Sequence, residues 1–107
     1  MAPRRRAVPP PPPVVNNAPV AVATSDTNNG KVSLTVSFDG AGSSDPDGDS
    51  LAFAWDFGDG LSSTEMNPTH VYTTVGSFVA VLTVDDGLMT DTAQVDITVR
   101  KSKGRRK

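Results

Sequence analysis

A regular alternation of apolar and polar positions is the feature that most constrains the fold of this chain. Four runs between residues 32 and 99 carry an apolar side chain at every second position: 32–38, 51–57, 78–84 and 93–99. A period of two residues matches a β-strand with one buried face, whereas an amphipathic helix repeats about every 3.6 residues. Valine and threonine, which favour strands, are frequent in these runs. No segment shows a convincing helical pattern, so the sequence predicts an all-β fold.

Short turn signals separate the apolar runs. They are the dipeptides Asn29-Gly30, Asp39-Gly40, Asp47-Gly48, Asp59-Gly60 and Asp86-Gly87. Strands are therefore predicted over about 18–23, 31–39, 51–57, 69–73, 77–85 and 92–99, with a short extra strand after Gly60. About seven short strands at this spacing predict a Greek-key β-sandwich. The chain has no cysteine, so no disulfide links the two sheets.

Charge is segregated along the 107 residues. With one lysine against twelve acidic residues, residues 7–99 carry a net charge of −11, while nine basic residues give the two ends +9. Residues 1–16 also hold six of the nine prolines, and Pro9–Pro13 predict a stiff polyproline II segment. We therefore divide the chain into a Pro-rich basic arm (1–16), a sandwich domain (17–100) and a basic tail (101–107). The arms are expected to contact an acidic or multimeric protein surface.

Several classes of function are excluded or disfavoured. No segment is apolar enough for a membrane span, and prolines rather than an apolar stretch follow the basic N-terminus, so neither membrane insertion nor an ordinary signal peptide is predicted. Cysteine nucleophiles, phosphate-binding loops and zinc motifs are absent from the sequence. The single histidine, His70, has no nucleophile at a telling spacing. We predict that the chain is not an enzyme.

An ordered series of motifs resembles the PKD (polycystic kidney disease) domain family. The motifs are Asn17-Ala-Pro-Val-Ala, Phe38-Asp-Gly-Ala-Gly-Ser-Ser-Asp-Pro-Asp-Gly-Asp49, Trp55-Asp-Phe-Gly-Asp-Gly60, Asn67-Pro-Thr-His-Val-Tyr72 and Leu82-Thr-Val-Asp-Asp-Gly87. The resemblance covers about residues 17–100. It implies an immunoglobulin-like β-sandwich without a disulfide, in a non-catalytic module of surface proteins, secreted hydrolases or adhesive assemblies.

Five aspartates lie within residues 45–60, and the predicted sandwich divides them between its two ends. Asp45, Asp47 and Asp49 precede the strand at 51–57, which spans roughly 20 Å at about 3.3 Å per residue. Asp56 and Asp59 lie at the other end of that strand, where we expect them to accept hydrogen bonds from turn amides. Trp55 is predicted to point into the core.

The aspartates before this strand have the oxygen chemistry that Ca²⁺ prefers. They differ from an EF-hand, because the glycine stands at the fourth loop position instead of the sixth and no helices flank the loop. In calcium-binding PKD domains the ligands come from an asparagine at the domain start, this loop and a later aspartate. The matching positions are Asn17, Asp45, Asp47 and Asp86, which the resemblance implies as a structural Ca²⁺ site. The alternative hypothesis is that these aspartates only cap turns.

Two hypotheses for function come from different classes of protein. In the first, the chain is a structural decoration or accessory subunit, anchored by its arms to a large assembly such as a virion surface. In the alternative, it is a spacer or adhesion module of a secreted multidomain bacterial or archaeal protein that contacts protein or polysaccharide. The first predicts a particle surface as its location, and the second an extracellular or cell-surface one. Nucleic-acid binding is disfavoured, because the acidic body would repel phosphates.

Overall fold

The computed structural model describes residues 16–101, which form two facing sheets. The strands are β1 (Thr24–Ser25), β2 (Asn29–Lys31), β3 (Leu34–Asp39), β4 (Ala52–Asp56), β5 (Ser62–Ser63), β6 (Thr69–Tyr72), β7 (Gly76–Asp85) and β8 (Thr90–Arg100). One sheet has the order β1-β3-β6 and the other β2-β8-β7-β4-β5, in which only β2 runs parallel to its neighbour β8. This two-sheet arrangement confirms the predicted all-β immunoglobulin-like sandwich.

The inward side chains of the alternating runs form one core between the sheets. Its buried members are Val36, Phe38, Trp55, Phe57, Tyr72, Ala80, Leu82, Val84, Ile97 and Val99. The ring of Phe38 lies 4.9 Å from that of Trp55 and 5.3 Å from that of Phe57, centroid to centroid. The indole N–H of Trp55 donates a hydrogen bond to the backbone oxygen of Met66 at 3.2 Å. The prediction that Trp55 belongs to the core is confirmed.

The far end of the sandwich, where β4 ends and β6 leads into β7, is held together by polar contacts. The Tyr72 hydroxyl donates to the Phe57 carbonyl at 2.8 Å, and burial raises the pKa of this hydroxyl above its usual value. The His70 ring stacks on Phe57 at 4.0 Å, while its Nε2 lies 2.7 Å from an Asp59 carboxylate oxygen. Asp56 and Asp59 also accept bonds from turn amides. These contacts confirm the prediction that Asp56 and Asp59 accept hydrogen bonds from turn amides.

Two local predictions were wrong. A strand was predicted over residues 18–23, but the structure forms only a single β-bridge there, between Val20 and Ser44. The next two backbone amides donate to side chains and not to a neighbouring strand. The backbone N–H of Ala21 donates to Asp91 at 2.8 Å, and that of Val22 donates to the Ser43 hydroxyl at 2.9 Å.

The second error concerns the expected turn at Asn29-Gly30. These residues begin β2 and pair in parallel with β8. The Arg100 guanidinium donates to the Asn29 side-chain oxygen at 3.0 Å, which ties the two strands together beyond their backbone ladder. Gly30 also packs closely on Leu34, since an added Cβ would lie 2.6 Å from Leu34 Cδ1.

Gly58→Ala is expected to destabilise the domain more than Gly60→Ala. Both glycines have positive φ angles, +84° and +95°, so alanine is strained at each by about 1–2 kcal/mol. A Cβ at Gly58 would in addition lie 2.6 Å from the Val79 carbonyl oxygen, whereas a Cβ at Gly60 meets no atom within 4 Å among the described residues. Chemical denaturation of the two variants measures the difference. Equal losses of stability would mean that the approach of Gly58 to β7 does not matter energetically.

Candidate metal centre

Three segments that are distant in sequence meet at the near end of the sandwich, opposite the Tyr72 end. They are residues 16–23, the loop 40–51 between β3 and β4, and the turn 86–89 between β7 and β8. The strand register requires this meeting, because Ala52 at the start of β4 pairs with Asp85 at the end of β7, and Asp85 pairs with Thr90. The four residues predicted as metal ligands all lie in these segments.

Asp45 organises the loop between β3 and β4. Its Oδ1 accepts the backbone N–H of Asp47 at 2.7 Å, and its backbone oxygen accepts the N–H of Gly48 at 3.0 Å. The tight turn brings carboxylate oxygens of Asp45, Asp47 and Asp49 within 4.8 Å of one another. The other oxygen of Asp45, Oδ2, is buried and has no hydrogen-bond partner among the described residues.

Asn17 meets the cluster through nitrogen atoms. Its backbone N–H donates to Asp47 Oδ2 at 2.7 Å, and its side-chain Nδ2 donates to Asp47 Oδ1 at 3.0 Å. Both oxygens of Asp47 therefore already accept bonds from the segment that enters the domain. A cation bound between these residues would take the Asn17 amide through its oxygen, which requires this amide to turn over.

Asp86 is held at the edge of the cluster by three donors. The backbone amides of Met89 and Leu88 donate to its Oδ1 at 2.7 and 2.9 Å, and the Asn16 side chain donates to its Oδ2 at 2.9 Å. The backbone bonds from Met89 and Leu88 are the main reason that the pKa of Asp86 falls to about 2. Asp86 is therefore a carboxylate at all ordinary pH values.

Desolvation, followed by the charges of Asp45, Asp47 and Asp86, raises the pKa of Asp49. The three carboxylates among these causes show that Asp49 lies in a region of concentrated negative charge, which a bound cation would relieve. Sequence reasoning did not include Asp49 among the ligands, although its spacing of two residues from Asp47 was a usable signal. Asn16 was also missed, and no local pattern distinguishes it from Asn17.

The residues present fit a calcium ion. Ca²⁺ takes six to eight oxygen ligands from carboxylates, carbonyls and water in flexible geometry. The cluster offers carboxylate oxygens on a Gly/Pro loop, and the orphaned Asp45 Oδ2 is a buried acceptor that lacks a donor. A buried acceptor without a partner costs about 1–3 kcal/mol, which a metal bond would offset. Zinc is a poorer match, because no histidine or cysteine lies in the cluster.

The fold and this end of the molecule define a class of protein, namely immunoglobulin-like sandwich domains without a disulfide whose loop carboxylates gather at one end. The PKD domain family model matches residues 16–100, and the chain belongs to this family. Among solved structures, the PKD1 domain of Vibrio anguillarum Epp is similar with a TM-score of 0.69 at 37% identity, covering 82% of this chain and all of that one. PKD domains are themselves non-catalytic.

Longer relatives contain a segment similar to this chain. Collagenase ColQ1 of Bacillus cereus (strain Q1) is 41% identical over 86 residues, which cover 79% of this chain and 9% of the relative. Pre-pro-metalloprotease PrtV of Vibrio cholerae (strain M66-2) is 50% identical over 58 residues, or 53% of this chain and 6% of the relative. The chain thus spans less than a tenth of the length of these curated relatives.

A structure from a study of promiscuous carbohydrate-binding modules of the β-sandwich superfamily is also similar. Its TM-score is 0.77 at 28% identity, and the match covers 84% of this chain and 37% of that one. In the described part of the chain, no helix is long and apolar enough to cross a membrane.

Proposed function

We propose that this chain is a non-catalytic spacer and adhesion module of a longer extracellular polypeptide, and that it contacts protein or polysaccharide. The observation that carries the proposal is the placement of its two ends. The described chain enters at the near end, where Asn17 is bound to Asp47, and leaves at the far end, after Arg100. Ten residue steps along β8 separate these ends by about 34 Å at about 3.4 Å per residue. A domain whose chain enters at one end and leaves at the opposite end separates the segments on either side of it, as a spacer does.

The relatives support an extracellular setting. They are named as collagenases and a pre-pro-metalloprotease of bacteria, and this chain corresponds to a small part of each. The comparisons favour this hypothesis over a decoration subunit on a virion, for which they give no support. The arms on which the decoration hypothesis relied, 1–16 and 101–107, lie almost wholly outside the described residues.

The outward side chains of β3 and β8, one strand from each sheet, suit contact with a polar polymer. The outward positions of β8 are Thr90, Thr92, Gln94, Asp96 and Thr98, before Arg100 at its end. The outward positions of β3 are likewise threonine, serine and aspartate. The outward positions of these two strands present many hydrogen-bonding groups, which favours weak, hydrated contact with a protein fibre or a polysaccharide.

Co-sedimentation tests the contact directly. The full chain is mixed with insoluble collagen, cellulose and chitin, and the bound and free fractions are measured together with any release of soluble fragments. We expect retention by at least one polymer without fragment release. Bovine serum albumin serves as the non-binding control. No retention on any of the three polymers would overturn the adhesion part of the proposal, and fragment release would overturn its non-catalytic part.

We also propose that the near end holds a structural Ca²⁺ ion. Asp45, Asp47 and Asp49 would supply carboxylate oxygens, with Asn17 and Asp86 at the edge. The buried, unpartnered Asp45 Oδ2 is the specific observation that supports this proposal. The ion would cross-link residues 16–23 to the loop 40–51 and the turn 86–89. It would thereby fix the direction from which the chain enters the domain.

A further inference from the structure

A second polar site lies on the outer face of the three-stranded sheet. It is an open groove of about 390 Å³, lined by Thr24, Ser25, Asp26, Ser37, Phe38, Asp39 and Asn67. Three separate segments build it: β1 with the residue after it, the end of β3, and the loop before β6. The proposed calcium site uses none of these residues, and although Phe38, Asp39 and Asn67 belong to the motifs that resemble the PKD family, that resemblance assigns them no ligand.

Two carboxylates in the groove are held in place by main-chain amides. Asp26 Oδ1 accepts the backbone N–H of Ser37 at 2.9 Å, and Asp39 Oδ1 accepts that of Ala41 at 2.7 Å. In each case the second oxygen, Oδ2, has no hydrogen-bond partner within residues 16–101. Because one oxygen is fixed by the backbone, each side chain presents the other to a ligand at little further cost in rotamer entropy.

A donor and hydroxyl groups complete the lining. The Asn67 side-chain oxygen accepts the N–H of Gly40 at 3.1 Å, and its Nδ2 donates to no partner among residues 16–101, so it is available as a donor. The Ser37 hydroxyl lies 3.5 Å from that of Thr69, so the row of hydroxyls continues onto β6. The groove therefore combines acceptors, donors and groups that can do both.

The lining also indicates which ligands the groove does not suit. No lysine or arginine lines it, so it offers no counter-charge to a phosphate or a carboxylate. Its single apolar member, Phe38, is 2% exposed and belongs to the core, so no hydrophobic pocket is open to a peptide side chain. An uncharged or positively charged ligand with many hydroxyls matches what remains.

We propose that this groove is a saccharide-binding subsite. Neighbouring hydroxyls of a pyranose ring donate to the free oxygens of Asp26 and Asp39, and the Asn67 amide donates to a ring or hydroxyl oxygen. Neutral sugars and amino sugars fit, whereas uronic acids are repelled by the two carboxylates. This inference rests on the proposed adhesion function, because it names polysaccharide as the partner and the groove as the place of contact.

The test is a titration of the full chain, labelled with ¹⁵N, with cellohexaose, xylohexaose and chitohexaose, followed by NMR. We expect the amides of residues 24–26, 37–41 and 67 to shift. The double variant Asp26→Asn and Asp39→Asn keeps an oxygen for each backbone amide but loses the charge, and it should weaken binding about tenfold or more. Asp96→Asn, on the outer face of the other sheet, is the matched control and should bind like the parent chain. Thermal melts of all variants check that they are folded.

Three outcomes would overturn the saccharide-binding role of the groove without overturning the proposed adhesion function. Saccharide shifts confined to the five-stranded sheet, or unchanged affinity in the double variant, would show that polysaccharide binds elsewhere. Retention on collagen with no saccharide shift would make the adhesion partner a protein. Shifts at residues 26 and 39 caused by CaCl₂ alone, with saccharide binding blocked, would make the groove a cation site. Failure on all three insoluble polymers would instead count against the adhesion function itself.

Discussion

Replacing Trp55 with alanine is expected to lower the free energy of unfolding by about 3–5 kcal/mol. The side chain is 1% exposed and packs against Phe38 in the centre of the core. Its removal leaves a cavity between the sheets, and it also removes one of the two donors to the Met66 carbonyl, which keeps the N–H of Gly40. Domains of this size are stabilised by about 5–15 kcal/mol in total, so the variant would lose a large part of its stability.

Urea unfolding followed by far-ultraviolet circular dichroism is the appropriate measurement, because the chain has no other tryptophan to report by fluorescence. Leu61→Ala is the control, since Leu61 is 58% exposed and its truncation should change stability by at most about 0.5 kcal/mol. Trp55→Phe should fall between the two, because it keeps part of the volume but loses the N–H. A loss below about 1 kcal/mol in Trp55→Ala would contradict the central position of this residue in the core.

The parts of the fold that periodicity encodes could be predicted from the sequence. β3, β4, β7 and β8 each bury alternate residues, and their inward faces are apolar in the printed sequence. The strand predicted over 18–23 was wrong, because backbone amides in this segment donate to the side chains of Asp91 and Ser43. Only the tertiary fold brings these two partners near. The sequence did not predict β2, because Asn29-Gly30 is a turn signal by itself. The strand forms by pairing with β8, which lies about seventy residues later in the chain.

In the candidate metal centre, too, the sequence predicted the local features but not those that depend on tertiary packing. The spacing of Asp45, Asp47 and Asp49 is local, so the sequence indicated the acidic loop directly. The contribution of Asp86 depended on knowing that two loops share one end of a sandwich, and the family resemblance supplied this. The orphaned oxygen of Asp45 and the bond from Asn16 to Asp86 depend on side-chain packing, for which no sequence pattern exists.

Calcium is expected to raise the melting temperature of the domain by roughly 10–20 °C when its concentration reaches about one hundred times the dissociation constant. An ion that binds only the folded state adds about 2.7 kcal/mol under this condition. For a domain of this size, each kcal/mol shifts the midpoint by roughly 4–8 °C. The physical source is the repulsion among Asp45, Asp47 and Asp49, which the cation replaces with bonds. EDTA should return the midpoint to its starting value.

Asp45→Asn separates a specific site from a general effect of salt. The amide keeps an oxygen for the Asp47 N–H, so the loop should still form, but the charge and the free oxygen at the centre of the cluster are lost. This variant should show little or no calcium-dependent shift, whereas Asp96→Asn, far from the cluster on β8, should respond like the parent chain. Magnesium should stabilise less, because it demands octahedral geometry and gives up its water reluctantly. A melting temperature that stays constant across millimolar calcium would leave turn capping as the role of these aspartates, and an equal response in Asp45→Asn would remove Asp45 from the ligand set.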